Sequence, residues 1–273
     1  EARGAKRVLL NLVEKITYAC ATRVYPNSFG LQSFIIRNQF APASKVKVIA
    51  EGSSNGVDVE YFNPNRIDTQ QRISLRCKLG IDESDFVFIF IGRIVGDKGV
   101  NELNSAFCEL NKSSSLDTPF GFKLLIIGNF EKDLDPIHPE SEREIKYNKD
   151  IVFVGYQTDV RPYLAVSDCL VFPSYREGFP NVVMQAGAMG LPSIVSDING
   201  CNEIVIEGIN GMIVPPKNLS ALKNAMIHMA SEKEYFNSLQ KRTREMITSR
   251  FEQKVLWKTL LDEYNSLLSD VKL

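Results

Sequence analysis

The loop at residues 92–99, the first polar loop, carries two cations, Arg93 and Lys98, between an apolar run and a helical pattern. Its glycines allow the backbone to approach a ligand closely, and the start of a helix attracts anions. An arginine and a lysine at this spacing can hold a diphosphate between them. The spacing differs from the dinucleotide-binding and P-loop glycine motifs. Taken alone, such a loop is more often a solvated turn.

A second polar loop, at residues 174–181, places the carboxylate of Glu177 shortly before another helical pattern. A carboxylate next to the amide groups of a helix start suits a sugar hydroxyl beside a phosphate. Asn181 is a good N-cap residue and Pro180 a turn former, so helix capping is the alternative interpretation. The two roles are compatible with each other.

Short apolar runs alternate with helical patterns between residues 86 and 215. The runs predict strands at residues 86–91, 123–127, 151–154, 169–172, 193–195 and 211–214. Between them, helices are predicted at residues 100–110 and 181–189. This alternation is typical of an α/β fold with a doubly wound parallel sheet.

Ligands of such a sheet bind in the crevice outside the carboxyl ends of its strands. The loops after residues 91, 127, 154, 172 and 195 are therefore the places to search, and both polar loops are among them. Asp197 also lies in this range but receives no predicted role. Glu203 opens a short predicted helix and is predicted to be structural.

The two ends of the chain have a different organisation. Helices are predicted at residues 6–19 and 28–38, and short strands at residues 23–25 and 46–50. Two strands cannot make an independent domain. Residues 1–62 are therefore predicted to be the end of a preceding α/β domain, with residues 46–50 as an exposed edge strand. Residues 63–85 are predicted as a linker and the start of the second domain. Further helices are predicted at residues 220–230, 232–250 and 252–268.

Composition excludes several classes of function. The net charge of −1 over 273 residues provides no general field for nucleic acid or an anionic membrane. A basic cluster at Arg3, Lys6, Arg7 and Lys15 fits a solvated helix face better than a lipid-binding one. The five cysteines form no C-x-x-C pair and the two histidines lie apart, which disfavours a metal site and suits the cytoplasm. No apolar run reaches the roughly 20 residues of a membrane span. The opening Glu-Ala-Arg-Gly suggests a fragment of a longer protein.

Several segments resemble family 4 of the retaining glycosyltransferases, which have the two-domain GT-B fold. Glu177-Gly-Phe-Pro-Asn-Val-Val-Met-Gln185-Ala, followed by Met189-Gly-Leu-Pro, resembles the E-x7-E region of that family. Gly92-Arg93 with Lys98-Gly99 resembles its strand-end motif. The segments at residues 210–215 and at residues 55–64 resemble its hairpin after the site and its interdomain crossover. The signals run in the family's order, and they are most similar to enzymes of bacterial capsule and O-antigen assembly.

The resemblance implies a role for each matching position. Arg93 and Lys98 would hold the donor diphosphate and stabilise charge on the leaving nucleotide, and Glu177 would contact hydroxyls of the transferred sugar. Gln185 replaces the second glutamate of the motif, which contacts the ribose, and its amide can still accept one hydrogen bond and donate another. Gly155 and Tyr156 would lie near the base, and the amides of Phe179, Pro180, Asn181 and Val182 would surround the distal phosphate. Gly92 and Gly178 are the other donor-binding positions implied.

At the level of the whole chain, the resemblance implies that residues 86–250 are a Rossmann-like domain that binds a UDP- or GDP-sugar without a metal or other cofactor. Residues 1–62 would be the remnant of the acceptor-binding domain, and residues 251–273 a helix packing back toward the N-terminal part. The full-length parent would transfer the sugar to a glycan or lipid-linked acceptor at the cytoplasmic face of the membrane, and this fragment would be inactive in transfer. The alternatives are an epimerase or phosphorylase on the same fold, and a non-catalytic nucleotide-sugar-binding module.

Overall fold

A computed structural model describes residues 4–113 and 121–270. Arg3 and the last three residues of the predicted C-terminal helix lie outside these ranges. In chain order the described residues form α1 (Ala5–Cys20), α2 (Phe29–Arg37), α3 (Thr69–Lys78), β1 (Phe86–Ile91), α4 (Val100–Ser113), β2 (Phe122–Ile127), α5 (Pro139–Tyr147), β3 (Ile151–Gly155), α6 (Arg161–Ala165), β4 (Cys169–Phe172), α7 (Asn181–Ala188), β5 (Ser193–Ser196), α8 (Cys201–Ile204), β6 (Gly211–Val214), α9 (Leu219–Ser231), α10 (Lys233–Phe251) and α11 (Gln253–Asp270).

The six strands form one parallel sheet in the order β3-β2-β1-β4-β5-β6. Phe86 of β1 lies opposite Phe122 of β2, and Ile89 of β1 lies opposite Leu170 of β4. The strand order reverses between β1 and β4, so the crevice of a doubly wound sheet opens there. The predicted fold class is confirmed for this part of the chain.

The central strands are buried on both faces, as their continuous apolar sequences predict. Phe88 and Phe90 of β1 have no exposed surface, and every residue of β4 is buried. Leu103 of α4 and Val183 of α7 belong to the same buried cluster. Burial of this kind, worth roughly 25 cal/mol per Å² of apolar surface, holds the strand ends in a fixed relation.

The two strands predicted near the N-terminus are wrong. The described residues there form a single parallel bridge between Val24 and Val46. Val46, Val48 and Ile49 are buried, so no exposed edge strand exists at residues 46–50. A 3-10 turn at Ala43–Lys45 and the positive φ of Ala50, +49°, interrupt the extended backbone on either side of the apolar residues.

The region predicted as a linker contains helix α3. Asp68 accepts a hydrogen bond from the amide of Gln71, whose side chain accepts one from the amide of Asp68, and this capping box starts the helix. Asp68 and Gln71, three positions apart, are the sequence signal for the start of this helix. At the other end of the chain, Glu263 of α11 accepts a hydrogen bond from the hydroxyl of Tyr25 at 3.1 Å and pairs with Lys47.

Helix α1 has no buried residue. It exposes the basic side chains of Lys6, Arg7 and Lys15 and six large apolar ones, namely Val8, Leu9, Leu10, Leu12, Val13 and Ile16. Over residues 4–113 and 121–270, no helix has both the length and the apolar character that crossing a bilayer requires.

Candidate functional site

The first polar loop is fixed to the chain that follows β2. The amide of Gly92 donates to the carbonyl oxygen of Ile127 at 3.0 Å, and the amide of Ile94 to that of Asn129 at 2.8 Å. Asp135 accepts a hydrogen bond from the amide of Asp97 at 2.7 Å. The loop ends in a 3-10 turn, Gly96–Lys98, directly before α4. These bonds fix the backbone from which Arg93 and Lys98 project.

The two polar loops meet at the point where the strand order reverses. The amide of Tyr175 donates to the carbonyl oxygen of Asp97 at 2.9 Å. Lys98 forms an ion pair with Glu177, and the hydroxyl of Ser174 donates to the same carboxylate at 2.9 Å. The Lys98 and Glu177 side chains are only 13% and 15% exposed. The structure thus brings together a cation from one loop and a carboxylate from the other.

Gly99 is required for this close approach. Its φ of +69° lies in the left-handed region, and a Cβ at this position would be 2.1 Å from the carbonyl oxygen of Pro173. Pro173 begins the segment that leads into the second polar loop. The glycine therefore sets the distance between the backbones that carry Lys98 and Glu177.

Arg93 lies apart from this pair and lines a cavity of about 290 Å³. Its guanidinium is 3.1 Å from the carboxylate of Glu131, and both side chains are partly exposed. Gly92 and Tyr156 line the same cavity, together with Gln157 and Val160 from the segment after β3. Three of the predicted donor-binding residues therefore share one concave surface formed by the loops after β1, β2 and β3.

The start of α7 has amide groups that no side chain caps. The helix begins at Asn181, and Pro180 occupies the N-cap position, so the predicted N-cap role of Asn181 is wrong. The first amides of a helix have no partner within it. Phe179 is buried against Phe251, which holds the loop against α10. Gln185 is half-buried one turn further along α7.

Two side chains of the site, Glu131 and Ser174, are not among the site residues predicted from the sequence. Glu131 pairs with Arg93, and Ser174 bonds to Glu177. Each follows the carboxyl end of a strand, where ligands of a parallel sheet bind, so the sequence indicates both loops but not these particular residues.

Other polar residues near the crevice have partners within the protein. Asp197 accepts a hydrogen bond from Asn202 at 2.8 Å. Glu203 accepts from the first two amides of α2, at 2.7 and 2.9 Å, in agreement with its predicted structural role. Burial, and then the charge of Glu177, raises the pKa of the Cys201 thiol, which therefore stays protonated at neutral pH and is a poor nucleophile.

Comparison with known families identifies the chain. A family model described as "Glycosyl transferases group 1" matches residues 85–232, more than half of the 273 residues. The chain belongs to this family. The matched range contains β1 through β6 and both polar loops.

The chain is also similar to named bacterial glycosyltransferases. The capsular polysaccharide biosynthesis glycosyltransferase CapM of Staphylococcus aureus is 29% identical over 98% of this chain and 68% of its own length. A UDP-Gal:alpha-D-GlcNAc-diphosphoundecaprenol alpha-1,3-galactosyltransferase of Escherichia coli is 26% identical over 91% of this chain and 61% of its own length. The chain thus spans about two thirds or less of the length of these relatives.

Solved structures show the same fold. The crystal structure of Anabaena HepE in complex with UDP and glucose has a TM-score of 0.79, with 20% identity over 95% of this chain and 67% of that one. The sucrose-phosphate synthase of Thermosynechococcus elongatus has a TM-score of 0.78, with 23% identity over 97% of this chain and 63% of that one. This group 1 chain therefore has the architecture of GT-B glycosyltransferases.

Proposed function

We propose that this chain is the donor-binding part of a retaining glycosyltransferase that transfers a sugar from a nucleoside diphosphate to a growing, lipid-linked glycan destined for the bacterial surface. The observation that carries the proposal is the largely buried pair of Lys98 and Glu177 at the reversal of strand order. A cation for a diphosphate and a carboxylate for sugar hydroxyls lie there side by side, as a sugar nucleotide requires.

The cavity beside Arg93 supports the placement of the nucleoside. Its volume of about 290 Å³ and the tyrosine in its lining suit a base and ribose, and Arg93 in the same lining would contact the diphosphate. HepE, a structural neighbour, was crystallised with UDP. The E. coli relative carries a name that specifies a diphosphoundecaprenol-linked sugar as acceptor. By analogy, we propose a UDP-sugar as the donor and a lipid-linked sugar as the acceptor.

In the proposed reaction, the bond between the anomeric carbon and the diphosphate oxygen breaks, and the acceptor hydroxyl forms a bond to that carbon on the same face. The leaving diphosphate gains negative charge as the bond breaks. Arg93 and Lys98 would neutralise this charge electrostatically, in the role that a metal ion has in other enzymes. The acceptor hydroxyl loses its proton as the diphosphate becomes basic enough to take it. Glu177 would orient the sugar through its hydroxyls.

The acceptor would bind to a part of the protein other than the sheet described above. The chain spans 68% of CapM and 61% of the E. coli relative, and helix α1 exposes a row of large apolar side chains. An apolar face of this kind is suited to packing against another domain. The proposal therefore assigns donor binding to this chain, and sugar transfer to the complete parent acting at the cytoplasmic face of the membrane.

Titration calorimetry with UDP, GDP and the matching nucleosides tests donor binding. We expect a nucleoside diphosphate to bind equally well with and without EDTA. Arg93→Ala should weaken diphosphate binding about ten-fold or more and leave nucleoside binding unchanged, because one charge-assisted hydrogen bond is worth roughly 1.5–3 kcal/mol. Arg66→Ala is the matched control, since Arg66 is another partly exposed arginine in an ion pair. Loss of binding in EDTA, or equal weakening of nucleoside and diphosphate, would contradict the diphosphate clamp.

Transfer is tested by comparing this chain with its full-length parent on a membrane extract that supplies lipid-linked acceptors. We expect transfer by the parent only, because donor and acceptor must be held in register for most of the rate gain. Transfer by this chain at the parent's rate would contradict the division of roles. Slow hydrolysis of the donor would not, because water needs no acceptor domain.

A further inference from the structure

One side chain, Asn199, joins the second polar loop to the N-terminal segment. Its Nδ2 donates to the carbonyl oxygen of Gly178 at 3.0 Å, and its Oδ1 accepts from the hydroxyl of Ser28 at 2.9 Å. Gly178 directly follows Glu177, and Ser28 is the N-cap residue of α2. Asn199 is therefore a bridge between a helix that precedes the sheet and the loop that carries the candidate sugar-binding carboxylate.

The backbone around this bridge is packed too closely for larger residues. A Cβ on Gly30 of α2 would lie 2.2 Å from the Oδ1 of Asn199. Gly200 has a φ of +78°, and a Cβ there would lie 2.4 Å from the carbonyl oxygen of Gly178. Ser28 has no exposed surface. The Asn199 side chain thus lies against Gly30 of α2, and Gly200 lies against the carbonyl group to which Asn199 donates.

Helix α2 has caps that do not depend on Asn199. The hydroxyl of Ser28 accepts a hydrogen bond from the amide of Leu31 at 3.1 Å, and Glu203 accepts from the first two amides of the helix. Removal of the Asn199 amide would therefore remove one restraint on the loop and leave α2 capped.

We infer that Asn199 is a positioning residue that holds Glu177 in place for the transferred sugar. The inference rests on the proposed function. Two other groups restrain the Glu177 carboxylate, Lys98 and Ser174. In the proposed complex Lys98 turns to the diphosphate, which weakens one of these restraints. The hydrogen bond from Asn199 to Gly178 acts on the backbone instead, so it persists when the donor binds.

Calorimetry on the full chain tests this role with three variants. Asn199→Asp is nearly isosteric and keeps the acceptor for Ser28, but it cannot donate to Gly178 when ionised. Asn199→Ala removes both bonds. Asn202→Ala is the control, because Asn202 is an exposed neighbour whose side chain, among the hydrogen bonds described, bonds only to Asp197. The ligands are UDP, GDP, UDP-glucose, UDP-galactose, UDP-N-acetylglucosamine and GDP-mannose, and the quantity compared is the affinity of the best sugar nucleotide relative to its own diphosphate.

We expect this ratio to fall about five-fold in both Asn199 variants, which corresponds to the loss of one hydrogen bond. Diphosphate affinity should stay within about two-fold, and Asn202→Ala should leave both quantities unchanged. An unchanged ratio in Asn199→Asp, or an equal loss for diphosphate and sugar nucleotide, would overturn the positioning role. Glu177→Gln separates this inference from the proposed function. If Glu177→Gln also leaves the ratio unchanged, or if wild type shows no preference for a sugar nucleotide, the proposed sugar contact is wrong.

Discussion

Replacement of Glu177 by glutamine should strengthen the binding of a diphosphate and lower the affinity of a sugar nucleotide relative to it. In the free protein the carboxylate neutralises Lys98, and both side chains are largely buried. A diphosphate must therefore compete with Glu177 for the ammonium group. Glutamine is nearly the same size, and its carbonyl oxygen can still accept the hydrogen bond of the Ser174 hydroxyl. The substitution removes the competing charge and little else.

The size of the effect follows from the strength of these contacts. Two unit charges 4 Å apart attract by about 4 kcal/mol at an effective dielectric constant of 20, but desolvation cancels much of this in a buried pair. We expect a net gain of about 1.4 kcal/mol, or roughly ten-fold, for UDP binding. A sugar nucleotide gains the same amount but loses charge-assisted hydrogen bonds from Glu177 to its hydroxyls, worth roughly 1.5–3 kcal/mol. Its affinity relative to UDP should therefore fall about ten-fold or more.

Calorimetry of UDP and of the best sugar nucleotide, against wild type and Glu177→Gln, measures both changes. Glu142→Gln is the matched control. It makes the same change of net charge in an ion pair with Lys132 and Lys146 on the surface around α5. If Glu177→Gln weakens UDP binding, or if Glu142→Gln tightens it equally, the competition between carboxylate and diphosphate is refuted.

Three further predictions concern other parts of the structure. Gln185→Glu should keep or tighten the binding of ribonucleotides and affect 2′-deoxyribose analogues less, because a carboxylate makes stronger hydrogen bonds to hydroxyls. Equal changes in calorimetry for ribonucleotides and deoxyribonucleotides would place Gln185 outside the ribose site. Gly99→Ala should lower the free energy of unfolding in urea by at least about 2 kcal/mol and abolish UDP binding. The control is Gly80→Ala, because Gly80 has a similar φ of +66° but no atom lies within 4 Å of the added Cβ, so only the smaller backbone cost is expected. Similar losses of unfolding free energy in the two variants would mean that the contact with Pro173 is not limiting. Burial raises the pKa of Asp168 to about 6. The folded state therefore keeps a proton on Asp168 that the unfolded state releases from about pH 4 upward, and the free energy of unfolding falls as the pH rises from 4 to 6. Asp168→Asn should remove this pH dependence. Between pH 4 and 6 the free energy of unfolding of the variant, relative to that of wild type, should rise by at most about 3 kcal/mol. Parallel pH profiles of the two proteins in urea unfolding would contradict the raised pKa of Asp168.

The sheet and its crevice could be predicted from sequence because their signals are local. A strand buried on both faces must be apolar throughout, as in Phe86–Ile91 and Cys169–Phe172, and such runs separated by helical patterns allow few other arrangements. The rule that ligands bind at the carboxyl ends of the strands then selected the loops that contain Arg93, Lys98 and Glu177. The pattern of these residues also indicated the family, which the match over residues 85–232 confirms.

The N-terminal strands were predicted wrongly because a short apolar run does not determine its own partner. Residues 46–50 have the composition of a strand, and Val46, Val48 and Ile49 are buried. Of these five residues, however, only Val46 forms a bridge, to Val24. Pairing requires a neighbouring strand of sufficient length, which no local pattern supplies.

The partners of the site residues were decided by tertiary structure alone. Lys98 and Glu177 are 79 positions apart in sequence, and Asn199 reaches Ser28 across 171 positions. Charge and hydrogen-bonding capacity are properties of single residues and can be read from the sequence. Which carboxylate neutralises which cation depends on the strand order and on glycines such as Gly99 that allow two backbones to touch, because those features set distances of a few ångströms between segments remote in the chain.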